Sequence, residues 1–248
     1  MTDRTVCEPR DRWPLGVVAV PLAAFTAFAF DVSHVPTPTA AFAFGVATTL
    51  SVELVVVWRA LEATRSDAGW PRITPATVVT IGRGSVLAVL AGFLFVEVPA
   101  GPTAWLPGAL FATAAVLDGV DGRLARATDS VSELGRRLDT EMDALTVLVG
   151  AALVVSNGLA PVAFLALGLA RYAFVAGIHV RRRRGLAVSS LESSRRRRVI
   201  GATAMVAIWL ALSPIPGRDL SRLVATVVLV PFLLSFARDW LAVTGRLR

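Results

Sequence analysis

Four aspartates near the middle of the chain form two closely spaced pairs, Asp118 with Asp121 and Asp139 with Asp143. Residues three or four positions apart on an α-helix lie on one face, so each pair presents two carboxylates in one direction. Both pairs lie where a long apolar stretch meets a short polar one, which predicts a position at the mouth of a membrane bundle. Ionisable groups at a membrane are costly and usually functional. Clustered carboxylate oxygens suit Mg²⁺, Mn²⁺ or Ca²⁺, so we predict a divalent-metal site.

Small residues and one arginine accompany the aspartates. Gly122 and Ala125 share the face of the first pair and leave that helix surface almost bare, so a bulky ligand can approach the backbone. Arg126 follows on the same face with a planar guanidinium suited to phosphate. Gly135 shares the face of the second pair, and Ser132 stands just upstream. The pattern predicts a slot for a diphosphate held between two metal ions.

The complete string, D-x2-D-G-x2-A-R-x8-G-x3-D-x3-D, resembles the motif of the CDP-alcohol phosphotransferase (CDP-alcohol phosphatidyltransferase) family. The chain satisfies every fixed position of that motif: Asp118, Asp121, Gly122, Ala125, Arg126, Gly135, Asp139 and Asp143. The resemblance extends from about residue 73 to the C terminus. It implies a six-helix membrane transferase of phospholipid biosynthesis, which moves a substituted phosphate, most commonly phosphatidyl, from a CDP-linked lipid donor to an alcohol and releases CMP.

The resemblance also implies roles for individual residues. Two divalent ions, Mg²⁺ or Mn²⁺, are expected on Asp118, Asp121, Asp139 and Asp143, and Asp143 is also expected to act as the general base toward the acceptor hydroxyl. Contacts with the CDP donor are expected from six further residues: Gly122, Ala125, Arg126, Ser132, Gly135 and Thr80. Family members are commonly homodimers, so a homodimer is compatible with the resemblance.

Two arginines inside apolar stretches are candidates for binding an acceptor or a phosphate. Thr80 and Arg83 match a Thr-x2-Arg pattern in the first core helix of relatives, although Thr77 stands where relatives often carry Asn. A buried arginine needs an anionic partner, which for Arg83 is either a phosphate or a structural carboxylate. Arg171 lies in the middle of another apolar stretch, and its partner is either a phosphorylated polyol acceptor or a site aspartate.

The composition predicts an all-α membrane protein. Hydrophobic residues make up 55% of the 248 residues, and the mean hydropathy is +0.66. Eight apolar stretches approach the roughly 20 residues that cross a bilayer. They cover residues 13–30, 40–58, 76–95, 103–121, 138–156, 161–180, 199–213 and 220–243. The first two precede the resemblance, so we predict an N-terminal two-helix membrane module, residues 1–60, and a six-helix catalytic core, residues 61–248.

Arginine positions predict the orientation in the cytoplasmic membrane. The chain has no lysine, and most of its 25 basic residues cluster in alternate loops, at both termini and beside the aspartates. By the positive-inside rule, both termini and the predicted site face the cytoplasm. The net charge of +7 is confined to short loops without interleaved aromatic residues, which favours membrane lipids over nucleic acid as partners.

Two functions from other classes fit part of the pattern. An intramembrane prenyltransferase of the UbiA type also binds diphosphate through Asp-rich metal sites, but it carries two motifs in distant parts of the chain, whereas both pairs here lie close together. A non-catalytic ion-binding membrane protein could also use the aspartates. Ion transport does not require the Gly-Ala-Arg face, and a carrier would release no CMP.

Overall fold

The computed structural model describes residues 40–66, 69–71, 73–97, 101–128, 131–189 and 194–245. Seven α-helices account for most of these residues: α1 (Ala40–Thr64), α2 (Pro75–Gly92), α3 (Leu106–Ala127), α4 (Glu133–Ser156), α5 (Leu165–Arg183), α6 (Arg195–Leu212) and α7 (Arg218–Val243). Short 3₁₀ turns follow α2 and precede α3 and α5. The predicted span 13–30 lies outside the described residues.

The prediction of an all-α membrane protein is confirmed. Five helical stretches of the described chain are long and apolar enough to cross a membrane: Ala40–Thr64, Pro75–Phe95, Gly101–Ala127, Val162–Arg183 and Arg218–Val243. Helices α4 and α6 begin earlier than the predicted spans 138–156 and 199–213, because backbone hydrogen bonding continues through charged turns that hydropathy leaves out. Sidedness stays a prediction.

Local sequence explains where the helices next to the aspartates begin. Thr74 caps α2, because its side-chain oxygen accepts a hydrogen bond from the Thr77 N–H at 3.2 Å, and Pro75 occupies the first turn. Ser132 caps α4 in the same way and accepts from the Gly135 N–H at 3.0 Å. The turn before α4 therefore ends at a defined residue, which sets the start of the helix that carries Asp139 and Asp143.

Helix α2 lies at the centre of the bundle. It packs against α1, α3 and α4, while α4 also contacts α5 and α6. Leu87 and Leu90 of α2, Leu138 of α4 and Ile208 of α6 are fully buried in one continuous apolar core. The outer faces of α1, α5 and α7 expose apolar side chains, as helices surrounded by lipid do. Helix α2, which carries Thr80 and Arg83, is therefore the most enclosed of the candidate spans.

Helix α1 packs directly onto α2. Phe42 stacks edge-to-face on Phe93, with ring centroids 5.3 Å apart, and a β-carbon at Gly92 would lie 2.6 Å from the Phe42 ring. Further along, the buried side chain of Glu53 lies against Gly84, where a β-carbon would come within 2.9 Å of its carboxylate. Helix α1 continues through the predicted boundary at residues 60 and 61, and the division into two modules stays a prediction.

One glycine sets the spacing of α4 and α5. A β-carbon at Gly168 would lie 2.5 Å from the Leu148 Cα, and backbone atoms cannot yield as a flexible side-chain tip can. We expect Gly168→Ala to separate the two helices, destabilise the protein by about 1–3 kcal/mol and lower its unfolding temperature in detergent. Gly82→Ala is the control, because its β-carbon meets nothing within 4 Å. Equal unfolding temperatures for Gly168→Ala and the wild type would contradict this account.

Candidate active site

A cavity of about 460 Å³ opens between the first half of α2, the end of α3 and the start of α4. The short connection from α3 to α4 brings the two aspartate pairs to opposite walls of this cavity. Its lining includes every residue predicted to bind metal or donor: Thr80, Asp118, Asp121, Gly122, Ala125, Arg126, Ser132, Gly135, Asp139 and Asp143. Arg83 and Arg171 are not among the lining residues.

Three carboxylates converge closely enough to share one cation. Asp118, Asp121 and Asp139 each contribute an oxygen, and these oxygens lie within 4.8 Å of one another. Asp121 is buried, whereas the side chains of Asp118 and Asp139 are 45% and 44% exposed to the cavity. An all-oxygen, negatively charged donor set that opens to water on one side fits Mg²⁺ or Mn²⁺, which keep part of their hydration shell.

Thr80 orients Asp121 from behind. The Thr80 hydroxyl lies 2.8 Å from Asp121 Oδ2 and 3.1 Å from the Ala76 carbonyl. One hydroxyl donates a single proton, and the shorter contact to a charged acceptor is the stronger of the two. Thr80 is itself buried, and its oxygen lies beside the carboxylate; its contact with the donor stays a prediction.

Arg83 is a buried cation behind the carboxylates, and only 1% of it is exposed. Its Nη1 pairs with Asp118 and lies 3.1 Å from Asp143 Oδ1. Its Nη2 lies 3.3 Å from Asp139 Oδ1 and 3.2 Å from the backbone carbonyl of Asp139. The sequence predicted either a phosphate or a structural carboxylate as the partner of Arg83, and the structure shows carboxylates. One guanidinium facing four carboxylates leaves the ionised cluster with net negative charge, which favours cations in the cavity.

The part of the cavity formed by the end of α3 combines open backbone with one cation that is unpaired among the described residues. The ideal β-carbon position of Gly122 lies 3.4 Å from Arg126 Nη1, so the arginine lies over the glycine. Arg126 is exposed and makes no ion pair with the described residues. Ser132 Oγ is occupied as the α4 cap, 3.0 Å from the Gly135 nitrogen. At the rim, hydrogen bonds from Arg136 and then Arg137 lower the pKa of the exposed Glu133 carboxyl.

Arg171 lies away from this cavity and pairs with a residue that the sequence patterns did not indicate. Its Nη2 lies 2.6 Å from Glu141 Oε1 of α4, so its partner is not a site aspartate. Glu141 stands between Asp139 and Asp143 but faces another side of the helix. The sequence signal was a single arginine in the middle of an apolar stretch, which does not specify a partner.

A second cavity, of about 310 Å³, adjoins Arg171 between α5, α6 and α7. Its walls are mainly apolar, and its polar lining consists of Arg171, Arg197, Ser235 and Asp239. Asp239 lies 2.7 Å from an Arg196 nitrogen and 3.4 Å from an Arg197 nitrogen. Part of the arginine block at the start of α6 therefore pairs inside the bundle.

Comparisons with known proteins agree with the sequence motif. A family model described as CDP-alcohol phosphatidyltransferase matches residues 72–243. The matched region contains α2 to α7, both cavities and all four aspartates of the motif. The comparison with curated proteins finds no match.

Removing the Thr80 hydroxyl tests the support of Asp121. Thr80→Val keeps the side-chain shape but leaves Asp121 Oδ2 without its side-chain donor. We expect Mn²⁺ affinity to fall about 10- to 100-fold, the usual effect of losing a group that orients a metal ligand, as measured by electron paramagnetic resonance of free Mn²⁺. Thr113→Val is the control, because the Thr113 hydroxyl bonds only the Ala109 carbonyl at 2.8 Å. Unchanged affinity in Thr80→Val would show that Asp121 is oriented by other contacts.

Proposed function

The chain belongs to the CDP-alcohol phosphatidyltransferase family, and from this premise we propose that it transfers a phosphatidyl group from CDP-diacylglycerol to an alcohol at the aspartate cavity, releasing CMP. Family membership makes the protein an integral membrane transferase and decides against the prenyltransferase and the ion-binding protein. The observation that carries the proposal is the convergence of all four motif aspartates and Arg126 on one cavity between α2, α3 and α4.

The carboxylates of the cavity are proposed to hold two divalent ions. Asp118, Asp121 and Asp139 form one ligand set, whose oxygens lie within 4.8 Å of one another. Asp143 joins the cluster from the next turn of α4 and completes a second set with Asp118 and Asp139. Mg²⁺ or Mn²⁺ bound there would neutralise the diphosphate of the donor and make its phosphorus more electrophilic.

The donor is proposed to lie along the exposed end of α3. Because Gly122 and Ala125 present little side chain, a diphosphate can approach the helix closely. The Arg126 guanidinium, which has no ionic partner among the described residues, would pair with one of its phosphates. Two acyl chains attached to the donor would extend into lipid between the apolar outer faces of the helices, which a membrane-embedded cavity permits. Gly135 and Ser132 would contact the CDP part from the opposite wall.

Asp143 is proposed as the general base. Its carboxylate is 55% exposed and lines the cavity, so an acceptor hydroxyl can reach it. As the acceptor oxygen attacks the phosphorus next to the lipid, its O–H bond breaks and the proton passes to Asp143. The new O–P bond replaces the bond to the bridging oxygen, which leaves with CMP. The 3.1 Å contact with Arg83 holds the carboxylate in position.

The acceptor is proposed to be a phosphorylated polyol bound through Arg171. Arg171 and Arg197 both line the second cavity, where they offer two guanidinium groups to a phosphate. Glu141, the ionic partner of Arg171, stands two residues from Asp139 and two from Asp143 on α4. Arg171 and Glu141 thus link the second cavity to the helix that carries the proposed base. An unphosphorylated small alcohol, which needs no guanidinium, is the alternative.

The orientation and assembly remain part of the proposal. Arginine-rich loops beside the aspartates and at both termini favour a cytoplasmic site with cytoplasmic termini in a multi-pass membrane protein. A homodimer is proposed from the family resemblance.

Metal-dependent CMP release tests the proposed reaction. We expect purified protein to release CMP from CDP-diacylglycerol only with Mg²⁺ or Mn²⁺ and a suitable acceptor, because the cluster needs added positive charge. The measurement compares a panel of free and phosphorylated polyols and identifies each lipid product by mass spectrometry. Full activity in excess chelator would contradict metal catalysis, and CMP release only with unphosphorylated alcohols would contradict the role of Arg171.

Asparagine substitutions separate the base from the metal ligands. We expect Asp143→Asn to retain donor binding but to lose about 10²-fold or more in kcat, the scale of general-base loss. Asp118→Asn should weaken Mn²⁺ and donor binding as well, because Asp118 belongs to both proposed ligand sets. Asp219→Asn is the matched control, since Asp219 is exposed at the start of α7. Equal, small losses at residues 118 and 143 would show that these roles are misassigned.

A further inference from the structure

Arg83 is the largest fully buried side chain among the described residues. A guanidinium stays protonated in proteins, so Arg83 places a permanent cation next to the carboxylates that it contacts. Arg83 reaches the cluster from α2 and is absent from the cavity lining, which puts its charge behind the aspartates and away from solvent. The carboxylates therefore lie between Arg83 and any substrate in the cavity, so Arg83 acts on the substrate through them.

The carboxylates that contact Arg83 overlap with those that would hold metal. The group able to share one ion consists of Asp118, Asp121 and Asp139, whereas Arg83 pairs with Asp118, Asp139 and Asp143. Only Asp121 is outside the contacts of Arg83, and it is supported by Thr80 instead. The two sets of carboxylates are therefore not equivalent: every member of the second contacts the guanidinium, whereas the first includes one carboxylate, Asp121, that does not.

The guanidinium is held where a metal ion cannot easily displace it. Besides the carboxylates, Nη2 lies 3.2 Å from the backbone carbonyl of Asp139. The side chain extends from α2, the central helix of the bundle, and is almost completely buried. Its Nε has no hydrogen-bond partner among the described residues. A divalent ion on Asp118, Asp139 and Asp143 would share ligands with Arg83 and be repelled by its charge at a distance of a few ångströms.

We propose that Arg83 is a positioning residue that makes the two metal sites unequal: it serves as the resident cation of the Asp118–Asp139–Asp143 set, so that the second divalent ion binds there only together with the diphosphate of the donor. This inference rests on the proposed function. The diphosphate supplies the negative charge and the oxygen ligands that this set lacks while its carboxylates are shared with Arg83. One ion is thus held by the protein alone, and the second arrives with substrate.

Mn²⁺ titration of the full-length protein in detergent tests the inference without relying on turnover. Electron paramagnetic resonance of free Mn²⁺ gives the number and affinity of sites, with and without CDP as the diphosphate probe. We expect the wild type to bind one Mn²⁺ at least about ten-fold more tightly than a second. CDP should tighten the second site by a similar factor and leave the first nearly unchanged. Two equally tight sites without CDP would overturn the inference.

Substitutions of Arg83 test whether its charge causes the difference in Mn²⁺ affinity between the two sites. Arg83→Met removes the charge at similar length and should tighten the second site about ten-fold without CDP, whereas Arg83→Lys should keep the two sites unequal. Arg136→Met is the control, since it removes a rim arginine that pairs with Glu133, and it should leave the inequality unchanged. If Arg83→Met retains wild-type inequality, the inference is wrong.

The unfolding temperature and CMP release are measured on the same preparations as controls for folding and function. Loss of a buried charge partner can destabilise the protein, so the unfolding temperature of Arg83→Met is measured with and without Mn²⁺. We expect Mn²⁺ to raise it more than in the wild type, because a second ion replaces the missing cation; an equal or smaller rise contradicts the inference. Wild-type CMP release with two equal Mn²⁺ sites overturns this inference alone. Absence of both CMP release and Mn²⁺ binding overturns the proposed function.

Discussion

The structure depends on one electrostatic constraint: four carboxylates and a guanidinium must be accommodated at the end of an apolar helix bundle. An unpaired charge in a low-dielectric interior is strongly destabilising. On the buried side, Arg83 neutralises part of the negative charge, because it pairs with aspartates of both α3 and α4. On the open side, the carboxylates face a cavity that can admit cations. Both solutions require α2, α3 and α4 to meet at one end.

The other features of the bundle maintain this meeting point. Helix α2 carries Thr80 and Arg83 on its site-facing side and is enclosed elsewhere by α1 and the apolar core. Caps at Thr74 and Ser132 begin α2 and α4 beside the cavity. Close contacts at glycines on α2 and α5 bring neighbouring helices near enough to exclude voids. Rigid helices, rather than loops, therefore carry every aspartate of the motif.

Two further charge pairs extend the polar region beyond the aspartates. Arg171 pairs with Glu141, and Asp239 pairs with arginines at the start of α6. Each places a guanidinium beside an apolar cavity while satisfying its charge within the bundle. An anionic substrate group could exchange with the carboxylate at such a pair at lower desolvation cost than at an isolated arginine, since the site is already polar. The second, mainly apolar cavity therefore lies beside satisfied charge pairs and apart from the aspartate cavity.

The sequence by itself determined the helical membrane architecture and which aspartates share a helix face. Both follow from local rules: apolar length sets a span, and spacings of three and four residues set a helix face, so Asp118 and Asp121 could be placed together without coordinates. The sequence predicted helix boundaries less accurately, since α4 begins at Glu133 and not at the predicted residue 138. Only the tertiary structure decided the partners of the buried charges. Arg83 pairs with three motif aspartates, and Arg171 with Glu141 rather than with any of them. The physical reason is that periodicity fixes directions within one helix, whereas an ion pair between helices depends on their rotation, depth and spacing, which the packing of the whole bundle sets.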